Sequence, residues 1–112
     1  VLSIYQNSFP EEAIRGAQVF YYEDCSEGKK LAEILQKHLV EVLDKENHRQ
    51  AKGNRTYYML KKTEATLVIV ECGFLSNNQE ALLLTDEKYQ NKVAKAICSG
   101  TLEYLSSLAE KK

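Results

Sequence analysis

The stretch Thr66 to Asn77, TLVIVECGFLSN, constrains the fold of this chain more than any other. Thr66 to Val70 are all apolar or β-branched, and they run straight into one carboxylate, Glu71. A short continuous run rich in Val and Ile reads as a strand buried on both faces. Strands of that kind occupy the middle of α/β sheets, and ligands sit beyond their carboxyl ends. Glu71 is therefore expected where the sheet ends and a site can begin. A charge there is costly to bury without a partner. Two readings stand: a working carboxylate, or one that escapes to solvent or caps a helix. Val68 and Val70 are expected in the core, with Leu67 and Ile69 on the opposite sheet face.

The flanking sequence supplies the other layers. Leu2 and Ile4 alternate with Ser3 and Tyr5, a short strand ending at Asn7-Ser8. Gly16 to Tyr22, GAQVFYY, is a second strand. Ser26 is the expected N-cap of a helix over Glu27 to Glu46. In that helix Leu31, Ile34, Leu35, His38, Leu39, Val42 and Leu43 form one apolar stripe. Lys45 to Arg55 is charged, contains Gly53 and reads as a loop; Tyr57 to Leu60 reads as a short strand or turn. Gln79 to Leu84 reads as a short helix, and Thr85-Asp86 opens a long final one. Tyr89, Val93, Ile97, Thr101, Tyr104 and Leu108 line its buried face, and Gly100 allows close packing there. The order implies one α/β domain over residues 1–112, a layered sheet with helices on both faces and the first strand at an edge.

Composition narrows the function. Lys+Arg 15 against Asp+Glu 16 gives a net charge of −1, with no basic excess for nucleic acid. No apolar run approaches the roughly 20 residues that cross a bilayer. The chain opens directly on VLSIYQNS, without a visible signal peptide. Val1 reads as a cut into a longer chain or a processed end, and compartment cannot be judged from it. Three cysteines, Cys25, Cys72 and Cys98, form neither a disulfide framework nor a zinc-finger spacing. Cys72 beside Glu71 invites a nucleophile reading, but free Cys more often packs. His38 and His48 lack the spacing of a metal pair.

SIYQNSF (Ser3 to Phe9), GAQVFYY, the run from Asn47 to Asn77 and EALLLTDEKYQNKVAKAI (Glu80 to Ile97) together resemble the C-terminal portion of a zinc-dependent N-acetylmuramoyl-L-alanine amidase of the amidase_3 family, with a phosphorylase/hydrolase-like α/β fold. Within that family the stretch resembles the CwlD-like sporulation and cortex amidases. The resemblance implies hydrolysis of the amide between N-acetylmuramic acid and L-alanine in peptidoglycan, in the cell wall or spore cortex. It implies one zinc held by two histidines and a glutamate, with a further catalytic glutamate at the position of Glu71. A carboxylate there can move a proton from the attacking water to the leaving nitrogen, and Gly73 lets the backbone turn close by.

Two departures qualify that expectation. The family's Asp-Pro-Gly-His motif and downstream glutamate ligand fall outside this stretch. The remaining histidine belongs to a Ser-Ile-His-x-Asn motif, which here reads Ser3-Ile4-Tyr5-Gln6-Asn7. Tyr5 thus occupies the ligand position, and a neutral phenol with pKa about 10 is a poor zinc ligand at pH 7. The chain alone is then expected to lack zinc and amidase turnover. The alternatives are a non-catalytic relative that binds peptidoglycan or a protein partner, and a small enzyme built on Cys72. An apolar first-strand edge, or the helix faces, would favour a homodimer.

Overall fold

The computed structural model describes residues 2–7, 16–55, 66–74, 82 and 84–110. Among the described residues four strands form one sheet: β1 (Leu2–Asn7), β2 (Gln18–Tyr22), β3 (Lys52–Asn54) and β4 (Val68–Phe74). Their order is β1-β4-β2-β3. The Val- and Ile-rich run is central, as its pattern predicts, and β1 lies at an edge. β1 runs parallel to β4, β2 antiparallel to β4, and β3 parallel to β2.

Side chains alternate from Leu67 to Cys72. Val68, Val70 and Cys72 face one core, shared with Ala17, Val19 and residues of both helices. Leu67 and Ile69 face the other way, beside Phe20 and Tyr22. Two long helices are described, α1 (Ser26–Leu43) and α2 (Glu87–Glu110). Both contribute to the core of Val68 and Val70 and pack against each other. Among the described residues, both helices therefore lie on one face of the sheet.

Each helix buries the stripe its periodicity predicts. Leu31, Leu35 and Leu39 of α1 are buried, as are Val93, Ile97 and Tyr104 of α2, while Ile34, Leu43, Tyr89 and Leu108 pack at the margin. Val42 departs from the expected stripe and is exposed. Gly100 sits where the helices meet: a Cβ there would lie 2.8 Å from Leu35 Cδ2 and 3.4 Å from His38 Cδ2.

Local details depart from the sequence reading. The N-cap of α1 is Cys25, not Ser26: its backbone is extended and its Sγ accepts the Gly28 N–H at 3.2 Å. Ser26 is the first helical residue. The helix stops at Leu43 rather than Glu46, because Asp44 turns extended and its carboxylate accepts the Glu46 N–H. The second strand begins at Gln18, two residues late, because Gly16 holds a φ of +100° that a strand does not accommodate. The segment read as a loop contains β3, whose residues Lys52, Gly53 and Asn54 carry no hydrophobic signal and are held by pairing with Phe20 to Tyr22. Asp86 opens α2, its carboxylate accepting the Lys88 N–H at 2.8 Å. The expected turn at Tyr57 to Leu60, and most of the expected Gln79 to Leu84 helix, lie outside the described residues.

Candidate functional site

Glu71 is fully buried, with none of its surface exposed. It is not at the end of β4, which continues to Phe74. It is, however, the last rung of regular pairing on both sides. Across one side Glu71 stands opposite Gln18, the first residue of β2. Across the other it stands opposite Tyr5, and the β1–β4 register shifts between Tyr5 and Asn7. Such irregularities end pairing and re-aim side chains beside active sites. The strand persists past Glu71, but the three-strand ladder stops there.

The register also joins two positions far apart in the chain. Tyr5 and Glu71 are direct neighbours on parallel strands, about 4.8 Å apart in backbone spacing. By the alternation of β4, Glu71 belongs to the face of Leu67 and Ile69, away from the helices. Its carboxylate has a polar partner, and no buried side-chain nitrogen or oxygen among the described residues lacks one. A buried, hydrogen-bonded carboxylate on a central strand is held rigidly, which suits a group that must meet a proton at a fixed point.

Gln18 begins β2 inside a network of amides. β3 pairs with β2 only from Phe20 onward, so among the described residues the outer edge of β2 at Ala17 and Val19 has no strand beside it. The Gln36 carboxamide, from α1, fills that place: its Nε2 donates to the Ala17 carbonyl at 3.0 Å and its Oε1 accepts the Val19 N–H at 2.8 Å. Asn47 Nδ2 donates to the same carbonyl at 3.2 Å. Gln18 Nε2 donates to the Gln50 carbonyl, and Arg49 Nη1 reaches Gln18 Oε1 at 3.4 Å. Gln18 and Gln36 are both buried. The sequence reading missed this group. Its available signal was position: Gln36 lies one turn after Ala32, on the stripe that Leu35 and Leu39 define, where a polar residue must find partners.

Cys72 does not join Glu71. It points into the helix-side core, and burial pushes its thiol up to about 11. At neutral pH it is a protonated, packed thiol, which argues against the nucleophile reading. His38 lies at the helix contact, its Nε2 3.4 Å from Glu103 Oε1. His48 is exposed in the segment leading to β3. A cleft of about 730 Å³ separates α1 from residues 47–51, and Glu71 does not line it. Among the described residues no three His, Cys, Asp or Glu side chains gather as a metal site. The described donors therefore do not fit a zinc ion by themselves.

Comparison with known proteins converges on one family. The chain is 38% identical over 105 residues to the germination-specific N-acetylmuramoyl-L-alanine amidase of Bacillus subtilis (strain 168), covering 94% of this chain and 44% of that protein. It superimposes with a TM-score of 0.91 on the CwlD amidase of Clostridioides difficile, solved in complex with the GerS lipoprotein, at 44% identity and over 95% of this chain and 54% of that one. An N-acetylmuramoyl-L-alanine amidase from Clostridium difficile 630 superimposes with a TM-score of 0.86 at 30% identity, over 95% and 57% of the two chains. The chain thus spans about half the length of these relatives. Residues 1–103 match the profile of Amidase_3, described as N-acetylmuramoyl-L-alanine amidase, and the chain belongs to that family.

Proposed function

We propose that this chain is the C-terminal portion of an amidase that cuts the bond between N-acetylmuramic acid and L-alanine in peptidoglycan, with Glu71 as its proton-transfer group. The observation that supports this most directly is the burial of Glu71 on the last regular rung of β4, opposite Tyr5. In the reaction, water oxygen bonds to the amide carbon and the carbon–nitrogen bond breaks. Glu71 takes the water's proton and delivers it to the departing nitrogen of L-alanine. Burial fixes the carboxylate and keeps bulk water from competing for that proton.

The family is generally zinc-dependent. Glu71 offers one donor, and Cys72 points to the opposite face. A hydrolytic zinc site needs three protein donors. We therefore expect the chain alone to purify without stoichiometric zinc and without turnover. Metal analysis and a muramoyl-peptide cleavage assay test this, first on the chain alone. The second form joins it to the upstream half of a family domain, with Tyr5 kept or changed to His. Tyr5→His in the chain alone should not restore activity; in the joined form it should. There, Glu71→Gln should lower the rate about 10²- to 10⁴-fold with zinc retained. One equivalent of tightly held zinc in the unaltered chain, or full activity after Glu71→Gln, overturns the proposal.

Tyr5 at the histidine position favours one second reading, a non-catalytic relative that binds peptidoglycan or a protein partner. Co-sedimentation with purified sacculi, without cleavage, would support it. No described helix is long and apolar enough to cross a membrane. Some relatives carry the name cell wall amidase, and the proposed place of action is extracytoplasmic, at the cell wall or spore cortex; a cell fraction in which the chain is only cytosolic contradicts it. Among the described residues β1 has no strand on its outer side, and Ile4 is 53% exposed. The proposed homodimer forms through this edge, and a monodisperse monomer by light scattering at high concentration refutes it.

A further inference from the structure

We propose that Gln36 is a positioning residue for Glu71: its carboxamide takes the place of a missing strand at the start of β2 and so holds Gln18 in register across from Glu71. The inference rests on reading Glu71 as the working carboxylate. Gln36 itself touches no reacting atom.

The geometry is that of a peptide group supplied by a side chain. Along the outer edge of β2, Phe20 to Tyr22 pair with β3. One step earlier the partner is a helix side chain, which donates to the Ala17 carbonyl and accepts from the Val19 N–H. A carboxamide is the side-chain group that can do both in one plane. These two contacts bracket Gln18, whose inner neighbour on β4 is Glu71. The outer contacts and the Gln18–Glu71 rung therefore act on the same three residues of backbone. Gly16, at a φ of +100°, precedes this segment and leaves it without a strand-like run-in. With the carboxamide removed, the start of β2 loses its outer partner and the rung beside Glu71 loosens. Asn47 Nδ2 still reaches the Ala17 carbonyl, so the loss falls on Val19 N–H.

The test uses Gln36→Leu, which keeps volume and removes both contacts, and Gln36→Glu, which keeps only the acceptor for Val19. Ala96→Gly, a buried α2 position outside this network, serves as a core control of lowered melting temperature. In the 112-residue chain, amide exchange at Val19 and the carbon-13 resonance of the Glu71 carboxyl are followed. Gln36→Leu should speed Val19 exchange by about a hundredfold and move the Glu71 resonance, with Gln36→Glu between. The Ala96→Gly control should leave that resonance in place. In the joined, active form, Gln36→Leu should lower kcat about tenfold with KM within about twofold. A Glu71 resonance unmoved by Gln36→Leu, or kcat unchanged in an active joined form, overturns the proposal. If the joined form shows no amidase activity at all, the proposed function fails, while the resonance still decides whether Gln36 positions Glu71.

Discussion

Ile69→Ala tests the central strand directly. Ile69 is 2% exposed and packs with Leu67, Phe20 and Tyr22 on the sheet face away from the helices. The substitution removes three buried carbons, worth about 2.4 kcal/mol at about 0.8 kcal/mol each. The space left behind adds a further part, because a β-sheet face flanked by aromatic rings collapses only partly; a total of about 3 kcal/mol falls inside the range for such changes. For a domain of this size that lowers the melting temperature by about 12 °C. Ile4→Ala is the internal comparison, since Ile4 is 53% exposed on the β1 edge and should cost less than about 1 kcal/mol. Thermal and urea unfolding of both variants give the answer. If Ile69→Ala melts within about 2 °C of the parent, the Val68 to Val70 run is not the core strand and the register built on it is wrong.

The helix contact and the buried thiol give two more tests. Gly100→Ala places a Cβ 2.8 Å from Leu35 Cδ2, and Leu35 has no exposed surface into which to move; overpacking should outweigh the roughly 1 kcal/mol gained in helix propensity, and a melting temperature that rises refutes the close approach. Cys72 carries a pKa raised by burial to about 11. Its unfolded form ionises first, near 9, so stability is intact below pH 9 and is lost as pH rises towards 11, by on the order of 2 kcal/mol. Cys72→Ala should flatten that limb of the unfolding profile, and an unchanged limb would assign it to another group. Alkylation at pH 8 should modify exposed Cys98 readily and Cys72 only on unfolding.

The sequence showed what repeats and hid what depends on a partner. The unbroken apolar run Leu67 to Val70 and the 3-and-4 spacing of α1 and α2 record burial directly, so the central strand, both helices and the two faces of β4 were legible. β3 was not. Lys52, Gly53 and Asn54 carry neither alternation nor apolar character, and they are a strand because β2 offers them an edge. Cys25 displaced Ser26 as the N-cap because a thiol can accept a backbone N–H where the turn after Tyr22 brings it into place. The edge position of β1 followed from strand count alone. The parallel rung that joins Tyr5 to Glu71 did not, because register depends on three-dimensional pairing.

That rung changes how the Tyr5 substitution is to be understood. As a motif, Tyr5 is one altered letter near the start of the chain. In the fold it is the immediate neighbour of a fully buried carboxylate. On the proposed reading, an exchange on the rung beside Glu71 falls next to the same group that would transfer the proton, whatever it does to metal binding. On that reading, loss of a zinc donor and change in the Glu71 environment are then one event rather than two. They separate in the joined form: Tyr5→His restores a donor, while Tyr5→Phe removes only the phenol oxygen. If Tyr5→Phe leaves the Glu71 carboxyl resonance in place and Tyr5→His moves it, the neighbour acts through its ring nitrogen. If both move it, the rung itself sets the environment of the carboxylate, and the oxygen of Tyr5 has been part of it.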